Sequence, residues 1–128
     1  MKFLLDNNLS EYLSIGMKGF GENVMHLKDV LPEGTDDATL LKYVGENNLY
    51  LVTRDLNIRR RPAEIDALKN YNVGAFFLGG KNQSRCQLIQ QLVRHWPRIK
   101  EHSQQNRNKR PFIFRVPPKG TKFTKLPL

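Results

Sequence analysis

Cysteine is almost missing from this chain. Cys86 is the single thiol among 128 residues, so no internal disulfide can form, and a reducing, cytoplasmic setting is expected. A lone cysteine in a folded domain reads first as a small buried residue. Long apolar runs are missing too. Nothing approaches the ~18 residues needed to span a membrane. The opening MKFLLDNNLS has one lysine and a short apolar stretch broken by Asp6, unlike a secretory signal, and no membrane partner is expected. His26, His95 and His102 show no metal-ligand spacing, and His26 and His95 read as structural residues of a strand and a helix. There is no Cys/His cluster, no phosphate-cradling glycine loop and no nucleophile elbow. The lack of a glycine loop after the first strand argues against a phosphatase on a flavodoxin-like sheet. Acidic residues are scarce beside basic ones, 12 against 21, for a net charge of +9. Such an excess is useful to a protein that touches polyphosphate, because cationic side chains release counterions from nucleic acid. Sign alone does not separate nucleic acid from an acidic protein or an anionic surface.

What is present is an alternation of strand and helix signals. Lys2–Leu5, Asn23–Leu27, Leu49–Thr53 and Val73–Leu78 read as apolar strands. Between them, Ser10–Ile15 reads as a short helix with Leu9, Leu13 and Tyr12 inward. Thr35 is placed to cap a helix reaching about Asn47, with Leu40, Leu41 and Val44 on its buried side. Pro62 suits the first turn of a helix to Lys69, and Ser84 the cap of a long helix bearing Leu88, Leu92 and Trp96, kinked or ended by Pro97. This order predicts an α/β fold: a four- to five-stranded, mainly parallel sheet with helices on both faces. The whole chain, 1–128, is expected to be one domain. Its basic, proline-containing tail, 101–128, is expected to pack as an edge element, with Phe112–Val116 as a half-buried strand.

Three carboxylates fall at equivalent places in that scheme. Asp6 ends the first strand, Asp55 lies two residues beyond the third, and Asp36-Asp37 open the helix after the second. In an open parallel sheet these places share one rim, where ligand sites form. Converging carboxylates repel unless a cation neutralises them, and hard oxygen donors suit Mg²⁺ or Mn²⁺. Each aspartate alone has an ordinary explanation, as a strand end, a helix opening or a turn; the constellation carries the inference.

Lys2–Ser10, an apolar strand followed by Asp6-Asn7-Asn8-Leu9, resembles the opening of PIN-like proteins. Gly34-Thr35-Asp36-Asp37 before an amphipathic helix resembles their second acidic motif, and Leu51-Val52-Thr53-Arg54-Asp55 their third. The motifs stand in the family's order, and the branch most resembled is that of VapC-type toxins. The resemblance implies a three-layer PIN-like fold, an Mg²⁺- or Mn²⁺-dependent ribonuclease, and a toxin with a small antitoxin partner; a homodimer is open. Carried over, Asp6, Asp37 and Asp55 become metal-binding, catalytic candidates, with Asp37 preferred to Asp36. Asn8 and Thr53 become supporting residues. Many relatives carry a further acid shortly after the third motif, where this chain has Asn57, which makes the site less acidic. A non-catalytic RNA- or antitoxin-binding module on the same fold is therefore the alternative reading.

Basic residues complete the expectation. Arg54, Arg59, Arg60 and Arg61 cluster beside Asp55, and Lys81 and Arg85 follow the fourth strand on the same rim, where they can hold RNA phosphates. Asp29, Glu33, Glu64 and Asp66 read as solvated or capping residues.

Overall fold

A computed structural model describes residues 1–128. Its strands are β1 (Lys2–Leu5), β2 (Val24–His26), β3 (Leu49–Thr53), β4 (Gly74–Leu78), β5 (Phe112–Val116) and β6 (Thr124–Leu126). Its helices are α1 (Glu11–Gly19), α2 (Leu27–Val30), α3 (Asp37–Glu46), α4 (Pro62–Asn70) and α5 (Arg85–Gln105). The strands form one six-stranded sheet in the order β2-β1-β3-β4-β5-β6, parallel except for β6.

Alternating side chains of the strands feed two cores. Phe3, Leu5, Tyr50, Val52, Phe76, Phe112 and Phe114 face one side and meet Leu13 and Met17 of α1 and Leu92, Trp96 and Ile99 of α5. Leu4, Leu49, Leu51, Ala75 and Ile113 face the other and meet Leu40, Leu41 and Val44 of α3 and Ala67 and Leu68 of α4. The fold is therefore helix, sheet, helix in three layers, and the inner strands β1, β3 and β4 are apolar on both sides because both sides are covered. The chain leaves β1 toward β2 on one side and returns past it to β3 on the other. That reversal opens a crevice at the carboxyl ends of β1 and β3.

Several local expectations are corrected. The sheet has six strands where four or five were expected. β5 lies inside it, hydrogen-bonded to β4 and β6, and β6 is the edge. Pro97 neither ends nor breaks α5. It and Val93, one turn earlier, are exposed, so the carbonyl that loses its partner faces water. The α3 cap is Asp36, whose carboxylate accepts from the Thr39 N–H at 2.7 Å, while the Thr35 hydroxyl donates to the Pro32 carbonyl. Helix α1 extends to Gly19, because Met17 adds a buried turn beyond Leu13. Tyr12, one position off that stripe, is 74% exposed rather than inward. Cys86 is exposed, on the first turn of α5. The end of α4 passes close to α3 at Gly45, where a Cβ would lie 2.2 Å from the Tyr71 carbonyl oxygen.

Candidate active site

Neighbouring parallel strands position the first two aspartates. Leu5 is in register with Val52, and the Asp6 N–H continues the ladder by donating to the Val52 carbonyl at 3.0 Å. The Asp6 side chain is buried. Its Oδ1 accepts from the Asn7 N–H at 2.6 Å and its Oδ2 from the Thr53 hydroxyl at 2.7 Å. The same Thr53 Oγ1 accepts from the Asp55 N–H at 2.9 Å, so one hydroxyl joins the loop after β3 to the carboxylate after β1. Asn8 makes a second tie, its Oδ1 accepting from the Arg54 N–H at 3.2 Å. Asp55 caps the 3₁₀ turn Leu56–Arg59 by accepting from the Asn57 N–H at 2.9 Å. Asn57 thus contributes its backbone here, and its side chain is exposed.

Asp37 arrives from the other direction, as the first residue of α3. It lines, with Asp6 and Asp55, one cleft of about 790 Å³ that Asn7, Asn8 and Lys28 also border. Its carboxyl is pushed up to about 6 by burial first and then by the negative charges of Asp55, Asp6 and the neighbouring Glu64. Asp36 behaves oppositely. It is exposed, outside the cleft, and held below the usual carboxylate range by its hydrogen bonds from Thr39. The pair is thus divided between a helix cap and a cleft residue.

Glu64 is the acid that the sequence reading missed. It was read as solvated or capping, yet it is buried beside Asp37 on α4, with Arg61 Nη1 at 3.6 Å as its one ion-pair partner. Its spacing carried a signal: Glu64, Ala67 and Leu68 are the buried positions of α4, at i, i+3 and i+4. An acid on the apolar stripe of a helix faces inward.

The same segments match a known family. The model described as a PIN like domain covers residues 1–80, more than half of the chain. The chain belongs to the PIN-like domain family. No curated protein and no solved structure matches it. PIN-like domains commonly include nucleases, and those nucleases typically use divalent metals.

In this PIN-like domain the donors fit a divalent ion in kind. Hard carboxylate oxygens face one cleft, and the raised Asp37 marks a mutual repulsion that a cation would relieve. Their side chains are not drawn into a ready ligand set, however, and no three acids, histidines or cysteines are grouped closely enough to hold an ion as they stand. Asp6 is engaged with Thr53 and Asn7, and Asp37 feels the charge of Glu64 beside it.

The structure distributes the basic candidates around the domain. None of the six lines the carboxylate cleft, whose one cation is Lys28. Arg54 is turned toward the loop between β4 and α5, donating to Gln83 and, at 3.4 Å, to the Gly80 carbonyl. Arg59 borders a small cavity under Asp55 and leaves its Nε without a partner. Arg60, Arg61 and Lys81 are exposed, and Arg85 lines a second cavity adjoining the cleft. No helix is long and apolar enough to cross a membrane.

Proposed function

We propose that this PIN-like domain is a metal-dependent endoribonuclease. The observation that carries the reading is the shared cleft: Asp6, Asp37 and Asp55, brought from three segments, face one space at the carboxyl ends of β1 and β3. Asp6, Asp37 and Asp55 would hold Mg²⁺ or Mn²⁺, which when bound supplies an activated water and neutralises charge developing on the phosphodiester. The protein's own residues set the stage for that chemistry. Thr53 fixes Asp6 relative to the Asp55 backbone. Asp37, raised to about 6, is largely ionised at neutral pH and so available as a ligand, and Glu64 beside it adds to the negative charge that a cation would offset. Lys28, at the mouth of the cleft, offers a cation to the RNA backbone.

Single changes Asp6→Asn, Asp37→Asn and Asp55→Asn should each abolish cleavage of single-stranded RNA in Mg²⁺ or Mn²⁺ while the circular dichroism spectrum stays that of the parent. Undiminished cleavage in all three sinks the reading. The biological role that goes with it is the toxin of a toxin–antitoxin pair, checked by co-purification with the product of a small adjacent open reading frame. One observation favours the non-catalytic alternative, an RNA- or antitoxin-binding module: the carboxylates are not grouped as a ligand set. RNA binding indifferent to chelator, with no turnover in either metal, would establish it.

A further inference from the structure

The carboxylate cleft does not end at its acids. A second cavity, of about 420 Å³, continues from it, and Asn7, Asn8 and Lys28 border both. The first turn of α5 supplies Arg85 to the far wall, and the start of α1 supplies Tyr12 to the near one. Lys28 and Arg85 are exposed, and neither belongs to an ion pair. Tyr12 is 74% exposed and belongs to neither core. Glu11 is the one acid on the lining.

An aromatic face, two unpaired cations and the Asn7 and Asn8 side chains around one hollow of mixed polar and apolar lining match the parts of a nucleotide: base, phosphate and sugar edge. We propose that this second cavity is a nucleotide subsite. It takes the residue of an unpaired RNA strand next to the one in the carboxylate cleft, with Tyr12 stacking on the base and Lys28 and Arg85 holding phosphate. The inference rests on the ribonuclease reading for what occupies the cleft. It adds a direction, since the strand leaves the acids toward α1 and α5 rather than toward the arginines after β3. It also adds a strand requirement, because a base stacks on a side chain only when it is free of its own helix. Shared lining favours RNA over an acidic peptide. The hollow has Asn7, Asn8 and Lys28 in common with the cleft, so one cation serves both. On its other side Ser10, Tyr12, Leu13, Arg85 and Ile89 also line an apolar groove with Met17, Phe20 and Val93, and a peptide lying there is the competing outcome of the test.

The test is binding of a short fluorescein-labelled single-stranded RNA in EDTA, followed by anisotropy, with Tyr12→Ala, Tyr12→Phe, Lys28→Ala and Arg85→Ala. Tyr12→Ala should weaken the single strand by about fivefold or more, leave the duplex unchanged, and be rescued by Tyr12→Phe. Lys28→Ala and Arg85→Ala should each flatten the slope of log affinity against log salt by about 0.7. In the metal-loaded reaction, Tyr12→Ala should raise KM and leave kcat. Cleavage with parental affinity and salt slope in all the variants overturns the subsite and leaves the ribonuclease reading standing. Binding with these dependences but no cleavage in any metal keeps the subsite and removes the nuclease. Tyr12-dependent capture of an acidic helical peptide, with RNA binding indifferent to Tyr12, overturns it in favour of a protein partner.

Discussion

Thr53 holds Asp6 side chain to side chain, its Oγ1 donating to Asp6 Oδ2 at 2.7 Å while accepting the Asp55 N–H at 2.9 Å. Thr53→Val keeps the shape, deletes the donor and leaves a buried carboxylate oxygen and a backbone N–H without partners. It should cost about 2 kcal/mol of stability in urea unfolding. Cleavage should fall about 10- to 100-fold, the usual loss when a group that orients a ligand is removed. Thr53→Ser restores the hydroxyl and should recover most of both. Equal failure of the serine and valine variants would reduce Thr53 to a packing residue.

Glu64 and Asp66 stand on the same helix and separate two ideas of what α4 does. Glu64 is buried and presses on Asp37; Asp66 is exposed. Glu64→Gln removes one negative neighbour, so the Asp37 carboxyl should titrate lower than about 6, as read by carboxyl ¹³C chemical shift. Asp66→Asn should leave that titration in place. An Asp37 signal indifferent to Glu64→Gln would remove Glu64 from the site.

The raised Asp37 has a stability consequence with a definite sign. Between 3.8 and about 6 the folded protein holds a proton that the unfolded chain has released, so this carboxyl makes stability fall as pH rises through that window. Asp37→Asn should therefore melt higher than the parent at neutral pH, by at most about 1 kcal/mol because solvent screens a partly exposed group. The two should converge below pH 3.8, where the carboxyl is protonated in both states. A variant that is stabilised at the acid end instead would contradict the clustering of like charges.

Two glycines test the packing. Gly45→Ala drives a methyl group to within 2.2 Å of the Tyr71 carbonyl oxygen between α3 and α4, and should destabilise by about 3 kcal/mol. Gly16→Ala, within α1 and with nothing inside 4 Å of the new methyl, should stabilise by about 0.5–1 kcal/mol through helix propensity. Urea midpoints for the pair decide it.

Local apolar pattern made β1, β3 and β4 legible, as well as the inner face of α3 and, on α5, Leu92 and Trp96 though not Leu88, which lies outside both cores, because hydrophobic period and caps are encoded within a few residues. The position of β5 was not legible. Its alternation suggested a half-buried edge, and only the antiparallel addition of β6, from beyond a proline- and glycine-containing link, turns it into an interior strand. At the site, the aspartates could be placed on a rim because strand ends are local features. Glu64 was overlooked because its neighbour, Asp37, is distant in the chain and the contact exists only after α3 and α4 pack. Arg54 shows the reverse. Proximity in sequence to Asp55 suggested a phosphate contact, and tertiary structure turns the guanidinium to Gln83.

The family-matched segment stops at residue 80, just past β4, while β5 lies against β4 along its full length. Phe112 packs edge-on to Phe76 at 5.7 Å, and Phe123, just before β6, meets the same ring edge-on at 6.3 Å. A fragment trimmed to the recognisable portion would therefore be born with an open row of backbone donors and acceptors on β4 and an uncovered aromatic floor. Such an edge finds its missing neighbour in other copies of itself. The trimmed fragment should collect in inclusion bodies, whereas the 128-residue chain carries its own edge cover in Phe112–Leu128.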